Sequence, residues 1–216
     1  RGLNDNCHLG GFVGVIAKNT GLFLTINNAE NNAMIQEASV NSCVGGFVGT
    51  ITNNENVYLT IHHSKSQNNI SVSAGLNTVG GVFGFVTDNR NMNIFIKNNS
   101  GIVRMDMDNT QGNGNAGGYV GLFSNNADTS MVMSENKQTA NLELSNKNGQ
   151  LMAGLYFGAV FNENRFSCSF RSESSKGIVN NTGTDNVFVG GLIGDINKTT
   201  GLFFEMNNCT NDAHVI

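Results

Sequence analysis

The chain has 216 residues, with 12 Lys and Arg against 16 Asp and Glu, and a formal net charge of −4. Without a basic run, that balance excludes the electrostatic footprint of a nucleic-acid binder, and no stretch approaches the ~20 apolar residues that would span a bilayer. No proline, 27 glycines and 37 asparagines point to turn-rich β-structure, because glycine costs a helix interior about 1 kcal/mol relative to alanine and asparagine tolerates left-handed turn backbone.

Nothing in the composition marks a break, so residues 1–216 read as one domain. The opening Arg1-Gly2-Leu3-Asn4 has no secretory signal pattern, and the text begins and ends inside a repeat, so a signal or anchor is expected elsewhere in a longer chain. That repeat is explicit. Its units start near Leu9, Val44, Val79, Ala116, Ala153 and Val189, and their first glycines are Gly10, Gly45, Gly80, Gly117, Gly154 and Gly190. The spacings are 35, 35, 37, 37 and 36 residues. A fixed period in this range is the signature of a stacked repeat fold.

Positions are counted forward from that first glycine. Position 4 is glycine in every copy: Gly14, Gly49, Gly84, Gly121, Gly158 and Gly194. Such a column marks a bend, or a spot where neighbouring backbone leaves no room for a side chain. A phosphate cradle would need a following helix N-terminus, and none is predicted. Position 6 is apolar throughout, from Ile16 to Ile196. Positions 12, 14 and 16 alternate as inward residues of a second strand, for example Val57-Leu59-Ile61 and Met92-Ile94-Ile96, with mixed residues between them on an outer face. Position 25 is apolar in a third, shorter segment: Ile35, Ile70, Met105, Leu142, Val179 and Val215. Each unit is thus expected to hold three strands broken by Asn-rich turns, with all length variation after position 27.

The glycine segments resemble the GLUG motif, a short repeat with a G-L-U-G core (U hydrophobic) found in large cell-surface proteins. The matching residues are Gly11-Phe12-Val13-Gly14, Gly46-Phe47-Val48-Gly49, Gly81-Val82-Phe83-Gly84, Gly118-Tyr119-Val120-Gly121 and Gly191-Leu192-Ile193-Gly194. Copy five departs, with Leu155 at the second glycine, and the units are longer than the usual repeat, leaving room for an extra strand or hairpin. The resemblance implies a solenoid-like stalk or adhesive segment of a surface protein.

The expected fold is an all-β, parallel β-solenoid of six coils of about 36 residues, stacked at about 4.8 Å with asparagines laddering along the turns. A six-unit propeller-like ring is the rival. An apolar column still runs at Ile216, so the ends are expected to be covered by neighbouring repeats or by identical subunits end to end.

Cys7 and Cys43 precede the glycines of adjacent copies, close enough in a stack to be a candidate disulfide. Cys168 sits in an inward column as a core thiol, and Cys209 has no obvious partner. No C-x-x-C spacing suggests zinc. His62-His63 reads as a solvated turn, since strand neighbours face opposite ways and share a metal poorly. Arg104, Asp106 and Asp108 are alternate residues on one face of the third segment. They are candidates for acid-base chemistry, calcium or an anionic sugar, against the plainer reading of a charged strand that discourages edge pairing. Of the five sequons, Asn98 and Asn208 fall at the same turn position and are the better glycosylation candidates. A Thr-x-Thr ice-binding array is not continued beyond Thr25 and Thr60.

The expectation for function is a non-catalytic extracellular repeat, acting as stalk, fibre subunit or adhesive surface at the cell surface. A carbohydrate-binding or carbohydrate-degrading β-helix is the alternative. No cofactor is expected, and glycans or surface proteins are the expected partners.

Overall fold

A computed structural model describes residues 7–38, 41–73, 75–109, 112–147, 149–183 and 186–216. The described residues form no helix, and hence none long and apolar enough to cross a membrane. Strands in equivalent positions of successive copies pair side by side, always in parallel, so the six units are consecutive coils of a β-solenoid. A ring of separate units would pair strands within each unit instead.

Each coil contributes to four sheets, one more than the three segments expected. Coil two shows the pattern: Asn41–Gly45, Val48–Thr52, Glu55–His62 and Lys65–Ser73 supply sheets one to four. The extra strand arises because the first segment folds sharply at its glycines. A methyl group on Gly45 would collide with the carbonyl of Val48 around this corner. The position-4 glycines are constrained instead by the coil before. A Cβ on Gly49 would stand 2.6 Å from both Leu9 O and Gly14 O, whereas on Gly14, in the first coil, it would meet only His8 O at 3.1 Å. The steric demand is therefore a product of stacking.

Copy five, with Leu155 in place of glycine, carries its own compensation. Position 1 faces position 23 across the core: a Cβ on Gly81 would lie 2.6 Å from Val103 Cγ2, and one on Gly118 3.2 Å from Ala140 Cβ. The residue in register with Val103 and Ala140 in coil five is Gly177. The larger side chain at one wall is matched by loss of the side chain at the other, and Leu155 is fully buried.

The inward columns read from the sequence form the core. Val57, Met92, Met131, Phe166 and Cys168 are fully buried, and so are Val86, Phe123 and Val160 at position 6. Length variation is absorbed at the fourth corner. Ser73 pairs with Asp108 at an offset of 35, but Asn77 pairs with Gly114 at 37, so two residues enter between these strands. Part of that corner lies outside the described residues.

The asparagines have two separate uses. At positions 8, 11 and 18 the backbone takes positive φ in coil after coil, as at Asn53, Asn56, Asp88, Asn91 and Asn125. These left-handed turns suit Asn better than any residue but glycine, and the two coils that lack a polar side chain at position 11 carry Gly21 and Gly201. The second use is a buried ladder at position 9. Asn54 N donates to Asn89 Oδ1 at 3.1 Å, and Asn89 N to Asn126 Oδ1 at 3.0 Å. Asn89 Nδ2 in turn donates to Ile51 O in the coil before, at 3.1 Å, and to Thr87 O at 2.9 Å. Each amide thus satisfies turn backbone that no strand pairing reaches. Position 19 repeats the arrangement through Ser64, Asn99 and Asn136.

Replacing Asn89 with alanine strands the Asn54 amide and the Ile51 carbonyl in the interior. The expected loss is about 2–4 kcal/mol in equilibrium denaturation, whereas Asn93→Ala, on the outer face of sheet three, should cost less than about 1 kcal/mol. Equal effects at the two sites would contradict the ladder's role.

Candidate functional site

The outer face of sheet four is an open surface with depressions. Its central strands, Lys65–Ser73, Ser100–Asn109 and Lys137–Asn146, are the longest among the described residues, at 9, 10 and 10 residues. Strand alternation sends positions 21, 23, 25 and 27 into the core and positions 20, 22, 24, 26 and 28 to solvent. Depressions of about 510 and 440 Å³ lie on this face, joined by one of about 200 Å³. Gln67 and Ile102 border the first junction, Asn69 and Arg104 the second.

Arg104, Asp106 and Asp108 all belong to this face. Arg104 and Asp106 line the 440 Å³ depression, while Asp108, two residues further along the strand, is outside its lining and half-buried, with Oδ1 shielded from solvent and without a hydrogen-bond partner. Adjacent coils supply what the sequence triplet alone lacked. In register with Arg104 are Asn69 and Asn141, and in register with Asp106 are Ser71 and Glu143. Asn180 Nδ2 donates to Glu143 Oε2 at 2.8 Å. The site is therefore a lattice of amides, hydroxyls and the carboxylates of Asp106 and Glu143 around one guanidinium, readable in the sequence only after the columns of different copies are laid side by side.

The other candidates fare differently. No disulfide joins Cys7 and Cys43. The pairing register is offset by one residue, so Cys7 lies beside Ser42 and Cys43 beside His8, and alternation turns the two side chains to opposite faces. Cys7 Sγ instead contacts Glu37 Oε2 at 3.2 Å, and burial pushes the Cys43 thiol up to about 11 despite a hydrogen bond with Thr50. Cys168 is a fully buried thiol, raised by burial first and the Glu173 charge second. Cys209 Sγ lies 3.4 Å from Asn207 O.

His62 and His63 do not diverge as strand neighbours would. His63 has φ 53° at the turn, which breaks the alternation and brings the two Nδ1 atoms to 3.0 Å. Among the described residues, no group of three or more His, Cys, Asp or Glu is placed to hold a metal ion. Asn98 and Asn208 are both exposed in the left-handed turn of position 18, each with φ 53°.

Comparison with family models, curated proteins and solved structures finds no match. The functional reading rests on the residues themselves.

Two buried carboxyls stand out that column reading passed over. In coil five both amide ladders end on glutamate: Glu163 Oε1 accepts from Asn126 N and Nδ2, each at 3.1 Å, and Glu173 Oε1 accepts from Asn136 N at 3.1 Å and Nδ2 at 2.9 Å. Tyr156 donates its hydroxyl to Glu173 Oε2 at 3.4 Å inside the core, stacked on Tyr119. Burial raises both carboxyls to about 7, against the lowering effect of the Asn hydrogen bonds; Asp88 adds to the rise at Glu163 and Glu135 at Glu173. A protonated carboxyl reproduces what the amide does in this column, accepting through one oxygen while the other can donate. The signal was present in the sequence as Glu in an Asn column.

In the unfolded chain these groups titrate near 4.5, so between that pH and 7 the folded state holds protons that the unfolded state has released. Their contribution is fully present below about pH 4.5 and is lost as pH rises through 7. It amounts to about 2 kcal/mol per group after allowance for solvent screening. Thermal unfolding from pH 4.5 to 8 should show the midpoint falling for the native chain and a much flatter profile for Glu163→Gln/Glu173→Gln. A native midpoint that rises over this range would refute the assignment.

Proposed function

We propose that this chain is a non-catalytic extracellular repeat module, a stalk or fibre segment that carries an adhesive surface on sheet four. The observation that supports it most is the division of labour between columns. Inward positions are occupied by packing residues and ladder amides, and the outer positions of sheet four are left to an open, polar face that no packing requirement explains. A wide, shallow, amide-rich surface suits holding an extended partner through many weak contacts.

The same geometry weighs against catalysis. Asp106 and Asp108 lie two residues apart on one strand, and Asp106 is exposed. Acid-base catalysis by a carboxyl pair depends on unlike environments within a water-excluding cleft, and this face is open. A surface location is supported by the glycine corner that resembles the GLUG motif, and by the exposed left-handed turns at Asn98 and Asn208, where glycans would project from the rod. In coil six the inward-column residues Ile196 and Met206 are exposed beside open strand edges, which fits neighbouring repeats or identical subunits end to end.

Incubation with a panel of neutral and acidic polysaccharides, read by release of new reducing ends, should show no cleavage by the native chain. Cleavage that disappears in Asp106→Asn/Asp108→Asn would overturn the non-catalytic reading in favour of a degrading β-helix.

A further inference from the structure

We infer that the occupant of sheet four is a linear acidic polysaccharide carrying one carboxylate per sugar, lying along the solenoid axis on the N-terminal half of the strands. This deepens the adhesive reading above and rests on it.

The placement of cations carries the inference. Lys65, Arg104, Lys137 and Lys176 belong to coils two, three, four and five, one per coil, at positions 20, 24, 20 and 22. All four are exposed on the outer face, and among the described residues none of them makes an ion pair. Lys97, Arg165 and Arg171 are each matched to a carboxylate in a neighbouring coil, whereas Lys18, Arg90, Lys147 and Lys198 also lack an ion pair among the described residues but lie apart from one another, off this strip. The outer face as a whole also holds Glu30, Asp106, Asp108, Glu143 and Asp212, but positions 20–24 of coils two to five contain these four cations and no carboxylate, a strip of local positive charge. The row is bounded. Glu30 occupies the position-20 column in coil one, Asp212 the position-22 column in coil six, and Asp106 and Glu143 lie one outward step beyond Arg104 along the strands. The positive strip is about 14 Å long from Lys65 to Lys176, at three strand spacings.

The cations advance one coil at a time, about 4.8 Å along the axis, and are staggered by two to four residues along the strands, so the strip suits an extended ligand with a negative charge on each monomer rather than an isolated anion. Between the cations stand Gln67, Asn69, Thr139 and Asn141, groups that both donate and accept and so pair with sugar hydroxyls. Ile102 is 45% exposed among them, an apolar spot for the C–H face of a ring. Arg104, central in the strip, presents the planar fork that suits a carboxylate. A single-stranded nucleic acid is the less favoured polyanion, because its bases need aromatic platforms and no aromatic residue lines the three depressions.

The test is calorimetric titration with polygalacturonate and with the same polymer fully methyl-esterified, for the native chain and for Lys65→Ala/Arg104→Ala/Lys137→Ala/Lys176→Ala, with Lys97→Ala on sheet three as the control. Exposed positions make loss of fold unexpected, and circular dichroism melting verifies it; a charge-preserving Lys137→Arg variant should bind as the native chain does. The native chain should bind polygalacturonate at least tenfold more tightly than the ester, and more weakly as salt is raised. The quadruple variant should lose at least tenfold, and Lys97→Ala should change nothing. Equal binding of acid and ester, or full binding by the quadruple variant, would overturn the inference while leaving an adhesive face in place. Tighter binding of a polyuridine strand than of polygalacturonate would also overturn it. No binding to either polysaccharide form would count against the adhesive reading as well.

Discussion

Most of the buried turn backbone in this parallel stack is satisfied by the coil above or below, and the rest of this molecule depends on that constraint. Strands pair by their own main chain, but the corners between them leave amides and carbonyls that face the interior. The position-9 and position-19 columns meet the demand with side-chain amides that accept from the preceding coil and donate both back to it and on to the next. The glycine column follows from the same closeness of approach, since a Cβ at position 4 would meet the backbone of the preceding coil. Repetition in the sequence is therefore the imprint of repetition along the axis. A residue is held constant where its neighbour in the next coil is itself.

Departures from the repeat obey the same rule. Leu155 is tolerated because Gly177 vacates the opposite wall, and Glu163 and Glu173 are tolerated in amide columns because a protonated carboxyl can play the amide's part. Both lie in coil five. That coil's register with its neighbours is unbroken, so the substitutions alter local chemistry without altering the path of the chain.

Much of this was legible in the residues alone. The period, the inward columns at positions 6, 12, 14, 16 and 25, and the confinement of length changes to one corner are all visible in the residues, and those columns supply part of the core, beside Phe47, Val48, Val72 and Met107 from columns not singled out. What escaped were features set by geometry finer than the period. The fourth strand arises from a bend at Gly45 that the reading treated as part of one segment. The Cys7–Cys43 pairing failed because a one-residue offset, trivial in a repeat alignment, reverses side-chain direction in a strand. The approach of His62 to His63 needed a left-handed residue that alternation does not foresee. At the candidate face, Arg104 and Asp106 were visible, but their partners Asn69, Asn141 and Glu143 are dozens of residues away in sequence and meet them only through the stack.

The amide ladders make the turns as well protected as the strands, and amide hydrogen exchange measures that directly. The backbone amides of Asn54, Asn89 and Asn126, which sit outside the strands but donate to side-chain oxygens of the next coil, should exchange as slowly as the strand amides of Leu59 and Ile94, through global rather than local opening. Rapid exchange at these three positions, at rates typical of exposed turns while the strands remain protected, would contradict the claim that the amide ladders hold the coils together.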